Sequence, residues 1–92
     1  MVRREKDYSE ELRREAIRGL GRTRDPLGVP TLREVLDRDS RLSRRKLRPL
    51  RQAAAQSLAR IADKEAILAL QAYATGGDSA IAKTCSELLR TI

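Results

Sequence analysis

Residues 12–32, Leu-Arg-Arg-Glu-Ala-Ile-Arg-Gly-Leu-Gly-Arg-Thr-Arg-Asp-Pro-Leu-Gly-Val-Pro-Thr-Leu, lie over residues 50–70, Leu-Arg-Gln-Ala-Ala-Ala-Gln-Ser-Leu-Ala-Arg-Ile-Ala-Asp-Lys-Glu-Ala-Ile-Leu-Ala-Leu. Leu12 matches Leu50, Ala16 matches Ala54, Leu20 matches Leu58, Arg22 matches Arg60 and Asp25 matches Asp63. Val29 and Ile67, then Leu32 and Leu70, complete the register. A weaker third copy runs from Ala80 to Ile92, with Leu88 and Arg90 in register with Leu58 and Arg60. Self-similarity at such a period is the mark of a solenoid, in which each unit buries its apolar face only against its neighbours. A solenoid is chiefly a shaped surface, so the pattern argues for binding before chemistry.

The periodicity inside each copy gives helices. Ser9, or Asp7 with Glu10, caps a first helix over 9–23, with Leu12, Ala16, Ile17 and Leu20 on one face. Asp25-Pro26 opens a second helix, regular from Val29 to Arg38, whose inner stripe is Val29, Leu32, Val35 and Leu36. Pro49 opens a third over 49–62, with Leu50, Ala54, Leu58 and Ile61 inward. Asp63 caps a fourth over 64–75, closed by Gly76-Gly77. Asp78 or Ser79 caps a fifth over 79–91, with Ile81, Cys85, Leu88 and Leu89 inward. Leu20 and Leu58 stand 38 positions apart but Leu58 and Leu88 only 30, so residues 39–48 are expected to be a mobile insertion. The organisation is then a charged tail at 1–8 and a repeat domain at 9–92. That domain divides into repeat 1 at 9–38, the insertion at 39–48, repeat 2 at 49–77 and a half repeat at 78–92.

The paired short helices, with Arg14-Glu-Ala-Ile-Arg-Gly-Leu-Gly-Arg-Thr-Arg-Asp-Pro-Leu-Gly-Val-Pro-Thr-Leu32 facing Arg51-Gln-Ala-Ala-Ala-Gln-Ser-Leu-Ala-Arg-Ile-Ala-Asp63, resemble the HEAT repeat family in its short bacterial, PBS-lyase HEAT-like form. The resemblance covers about residues 10–92 and implies an all-α, right-handed α-solenoid of about five helices, two repeats and half of a third. Proteins similar to this act as scaffolds, bilin lyases or nucleic-acid binders. The resemblance also implies that the second helix of each pair lines the concave surface.

Composition narrows the chemistry. The chain has 92 residues, no Phe or Trp and two Tyr, so its core must be built from Leu, Ile, Val and Ala. With no His, it lacks His-based nucleophilic arrangements and His metal ligands. The lone Cys85 lies on an inward face, as a small buried hydrophobe rather than a reactive thiol, metal ligand or bilin attachment point. Gly19 and Gly21 form Gly-x-Gly at a helix end, without the strand and third glycine of a dinucleotide loop. Glu11 and Glu15 sit beside Arg14 and Arg18 at helical spacing, as surface ion pairs. No catalytic constellation, metal site or cofactor site is expected, and the chain reads as a non-enzyme. One cysteine, no secretory signal and no run of about 18 apolar residues make a cytoplasmic protein the default, with no membrane span.

Two features point outward. Between residues 38 and 51 stand Arg38, Arg41, Arg44, Arg45, Lys46, Arg48 and Arg51 against Asp39 alone, which is nearly the whole net charge of +7. This cluster is a candidate surface for an anionic partner, either nucleic-acid phosphates or an acidic protein; a solvated loop aiding solubility is the plain alternative. The fourth helix is apolar almost all round, and Leu68, Ala69, Ala72 and Tyr73 lie opposite its core stripe as a candidate face for a protein partner. The expected function is a protein-interaction or scaffold module, with a nucleic-acid-binding module using 38–51 as the alternative. The last helix, with Ile81, Leu88, Leu89 and Ile92 and nothing after it to pack on, is further expected to leave an apolar side bare, to be covered by self-association, by a docked partner or by further repeats.

Overall fold

Three aspartates set the helix boundaries. The computed structural model describes residues 2–38, 44–76 and 78–92, with side chains from Glu11 onward apart from Arg44. Asp25, in extended backbone, accepts the Leu27 amide at 3.0 Å and starts a 3-10 turn, Pro26–Gly28, that runs into α2, Val29–Asp37. Asp63 accepts the Ala66 amide at 2.8 Å and starts α4, Lys64–Ala74. Asp78 accepts the Ala80 amide at 3.1 Å and starts α5, Ser79–Thr91. Each carboxylate satisfies a donor that the helix itself leaves free. Ahead of the first two caps stand α1, Val2–Thr23, and α3, Arg44–Ile61. Both end the same way, with one residue in the left-handed region: Arg24 at φ 53° and Ala62 at φ 52°. The two corners are thus the same turn built twice.

The helices form two layers. α3 lies between α1 and α5, while α2 and α4 touch each other and back onto α3 and α5. The α-solenoid of paired helices read from the repeat is what the chain adopts. α3 packs against all four other helices, which explains its composition. Ala53, Ala54 and Ala55 are buried together, so more than one face of α3 is covered, and only small side chains let helices approach from several sides. Leu58 is fully buried and joins Ile17, Leu32, Leu36, Leu50, Leu70, Ile81 and Cys85 in one core.

Between α1 and α3 the approach is closer still. Ser57 donates its hydroxyl to the Ile17 carbonyl at 2.7 Å, buried. A Cβ on Gly21 would stand 2.7 Å from Ser57 Oγ and 2.8 Å from its Cα. Glycine at 21 therefore serves helix–helix contact, whereas Gly19 has open space at the same distance.

Several expectations are corrected. α3 begins at Arg44, so residues 44–48 of the expected insertion are helix and Pro49 lies inside it; residues 39–43, with Asp39 and Arg41, lie outside the described residues. α1 starts at Val2 rather than 9. Leu12 is 56% exposed and Ala16 is exposed, because no described element covers the side of α1 away from α3. The last helix is not bare: Ile81 and Cys85 are buried, Leu88 and Leu89 pack on the core, and Lys83, Glu87 and Arg90 take the exposed positions. Only Ile92, half exposed, is left of the apolar side on which self-association was to rest.

Candidate interaction surfaces

The seven residues expected to greet an anion part company. Arg51 is 3% exposed. Its Nη1 donates to Asp78 Oδ2 at 2.7 Å, and its Nε and Nη2 donate to the Leu36 carbonyl at 3.1 and 2.8 Å. Leu36 lies in the last turn of α2, where carbonyls lack intrahelical donors and a cation suits the helix dipole. Asp78 caps α5 with its other oxygen. One guanidinium thus joins the end of α2 to the start of α5 through α3. Arg51 does meet an anion, but within its own chain, and it is no part of an outer site. The sequence carried the signal: Arg51 falls three, four and seven positions before Ala54, Ala55 and Leu58, on the inner face.

Arg48 is half-buried, with Nε shielded from solvent and without a hydrogen-bond partner. Arg38, Arg45 and Lys46 are exposed, while the side chains of Arg41 and Arg44 lie outside the described residues. No acidic residue stands in the first turn of α3 to offset the basic ones there. Lys46 turns toward α1, into a furrow of about 240 Å³ with Arg13 and Arg14. Farther along the same helix pair, Arg18 and Arg22 of α1 meet Arg60, Gln56 and Ser57 of α3 around a cleft of about 120 Å³. Sequence reasoning missed this convergence because it treated the α1 arginines as ion-paired. Of them, Arg18 is held by Glu15 at 3.2 Å. The match of Arg22 with Arg60 was the available signal, since equal repeat positions come side by side on parallel neighbouring helices.

The expected protein face also divides. Ala69 is 3% exposed and belongs to the core, because α4 is covered by α2 and α5 on that side. Leu68 is 48% exposed and Ala72 is exposed. Tyr73 is half-buried; its hydroxyl donates to Asp37 Oδ1, with the Arg33 carbonyl 3.2 Å away, and so ties α4 to α2. Burial and the Asp37 carboxylate hold this phenol up, at about 12, so it stays protonated as a donor. Beside it, a groove of about 380 Å³ opens between the length of α2 and the first turn of α4. Pro26, Val29 and Pro30 supply its apolar wall, and Glu34, Asp37, Asp63 and Glu65 face Arg33 as its charges.

Chemically the described residues are quiet. No group of three or more His, Cys, Asp or Glu among them is placed to hold a metal ion, and no helix is long and apolar enough to cross a membrane. Cys85 is fully buried, and burial pushes its thiol up to about 11, against the opposing charge of Arg51. It is a packing residue.

The repeat register, the two-layer packing and the twin left-handed corners agree with a family model described as HEAT repeats, which matches residues 2–90. The chain belongs to the HEAT repeat family. No curated protein and no solved structure matches it. HEAT repeats generally mediate protein–protein contacts or scaffolding, and the family is typically non-catalytic.

Proposed function

We propose that this HEAT repeat chain is a non-enzymatic protein-interaction module that takes its partner on the α2–α4 face. The observation that supports this most is the open groove between those helices, with apolar residues on one wall and carboxylates around it. Leu68 and Ala72 continue the surface along α4: they share a helix face with Glu65, at three- and four-residue spacing, and both are exposed. Apolar contacts ringed by charge are what protein interfaces use for affinity and register. Four carboxylates against Arg33 suit a partner segment that presents an apolar side chain flanked by basic ones. An acidic partner would be repelled here.

A photo-crosslinking residue in place of Leu68, in the full chain expressed in its host, tests this, with the same residue in place of Lys83 as the control. A discrete protein adduct from position 68, lost when Glu34 and Glu65 are both changed to Lys, is the expected result. No adduct at 68, or the same adducts from both positions, overturns the assignment.

A further inference from the structure

We propose that the furrow between α1 and α3 is a second, separate binding site, for the phosphate backbone of duplex nucleic acid. It does not rest on the α2–α4 reading. Six basic side chains line the furrow: Arg13, Arg14 and Lys46 at one end, Arg18, Arg22 and Arg60 at the other. Among the described residues, the carboxylates near them are Glu11, which lines the first end, Glu15, which holds Arg18 at 3.2 Å, and Glu34, which shares a hollow with Arg13. Among the described residues, no carboxylate or carbonyl is bonded to Arg13, Arg14, Arg22, Lys46 or Arg60. All of these are exposed except Arg14, which is half-buried, so the charges are held at the surface without being neutralised.

Three properties favour phosphate over an acidic peptide. Five of the six residues are arginine, whose planar fork matches a phosphate's paired oxygens. The Arg18–Arg22–Arg60 end contains no large apolar side chain, its one apolar lining residue being Ala53, itself in the core, so a peptide would find an apolar anchor only at the other end, beside Leu47 and Pro49. The charges also form a row rather than a point. From Lys46 to Arg60, α3 advances about 21 Å, at about 1.5 Å per residue. Along a duplex axis each strand carries a phosphate about every 3.4 Å, so a row of that length spans a stretch of several phosphates. Among the described residues, no exposed aromatic ring is free to stack on an unpaired base, since Tyr73 is engaged with Asp37, which favours a duplex over a single strand. The site differs from the basic stretch at 38–51 expected from sequence, and shares only Lys46 with it.

The test is fluorescence anisotropy of the full chain with a labelled 20-base-pair duplex of arbitrary sequence across a salt series. The wild type should bind with a log–log salt slope of about −5, as five or six phosphate contacts require. The triple variant Arg18→Gln, Arg22→Gln, Arg60→Gln should lose about 2.7 from the magnitude of that slope and at least about tenfold in affinity near 0.1 M salt. A charge-matched control, Arg38→Gln, Lys64→Gln, Lys83→Gln, alters exposed residues outside the furrow and should stay within about threefold of wild type. Thermal melts of both triples should match wild type, which separates lost binding from lost fold. Equal losses in the two triples would reduce the effect to net charge and overturn the site. So would a flat salt response, or equal competition by a glutamate-rich peptide of the same total charge.

Discussion

α1 and α3 carry the same sequence pattern and live in different surroundings. Leu12 is 56% exposed and its counterpart Leu50 only 8%; Ala16 is exposed and Ala54 is fully buried. Arg13 is exposed and without a partner among the described residues, while Arg51, in the same repeat position, is buried between Asp78 and the Leu36 carbonyl. The side chains are alike; the neighbours are not. α3 has α1 on one side, α5 on the other and α2 and α4 behind it, whereas α1 packs chiefly against α3. In a solenoid a repeat position acquires its energy from the adjoining units, and an unflanked copy of the same residue acquires little.

The strongest way to break this comparison is to substitute Arg51 and Arg13 in parallel. Arg51→Ala leaves the buried Asp78 carboxylate without its cation and the Leu36 carbonyl without these donors, and should cost about 3–5 kcal/mol. Arg13→Ala should change stability by less than about 0.5 kcal/mol. Urea unfolding of the two variants measures both. Adding Asp78→Ser to Arg51→Ala removes the stranded charge and keeps a capping oxygen for α5, so the double variant should recover part of the loss. A small effect at Arg51, or no recovery in the double variant, would show that the ion pair does not join the layers.

Next in size are the paired leucines. Leu58→Ala should cost about 2–5 kcal/mol, since Leu58 is fully buried among all layers, and Leu12→Ala less than about 0.5 kcal/mol. Leu20, half-buried against the core, should fall between. If Leu12→Ala proves as damaging as Leu58→Ala, then α1 is covered in solution by something beyond the described elements.

How far the sequence could be read follows the same division. Helix number, the aspartate caps and the inner stripes of α2, α3 and α5 were legible because they depend on local chemistry: a carboxylate at an N-terminus, apolar residues every three or four positions. On α4 the buried residues are Ala66, Ala69 and Leu70, and Ile67, expected inward, is only half-buried. The start of α3 was not, because Pro49 suggests a first turn and the actual helix begins at Arg44. Leu12 and Ala16 were misplaced because a matched phase shows which face a residue occupies and not whether a neighbour is there. Of the outer surfaces, Leu68 and Ala72 stood where periodicity put them. Ala69 did not, since α4 is enclosed on two sides. Arg51 was counted with an outer cluster because adjacency in sequence was taken for adjacency in space. The arginine furrow needs two helices side by side, and only the register of Arg22 with Arg60 hinted at it.

A finer contrast concerns glycine. Gly19→Ala meets open space in a helix interior and should stabilise by about 0.5–1 kcal/mol, by lowering the entropy lost on folding. Gly21→Ala drives a methyl into the backbone of Ser57 and should destabilise by about 1–3 kcal/mol, as α1 moves off α3. Opposite signs at two glycines of one helix, read from melting curves, would mark the line along which α1 packs. The same sign at both would put that line elsewhere.

The smallest effect tests the opposite case, a feature that both repeats own without help from neighbours. Arg24 and Ala62 hold the left-handed conformation at the two corners, at φ 53° and 52°, each one residue ahead of a capping aspartate. A side chain there costs about 1–2 kcal/mol, while glycine carries an entropic cost of about 0.5–1 kcal/mol in the unfolded chain. Arg24→Gly and Ala62→Gly should therefore each stabilise by about 0.5–1 kcal/mol. Both residues are exposed, so little packing is lost with either side chain. Because the strain is local, the two gains should be nearly equal, although the helices leading into the corners differ so much in burial. Differential calorimetry of the two single variants and the double variant reads this directly, and the double should equal the sum. A gain at one corner and a loss at the other would mean that even these turns draw their stability from the surrounding layers, and that no part of the repeat is energetically its own.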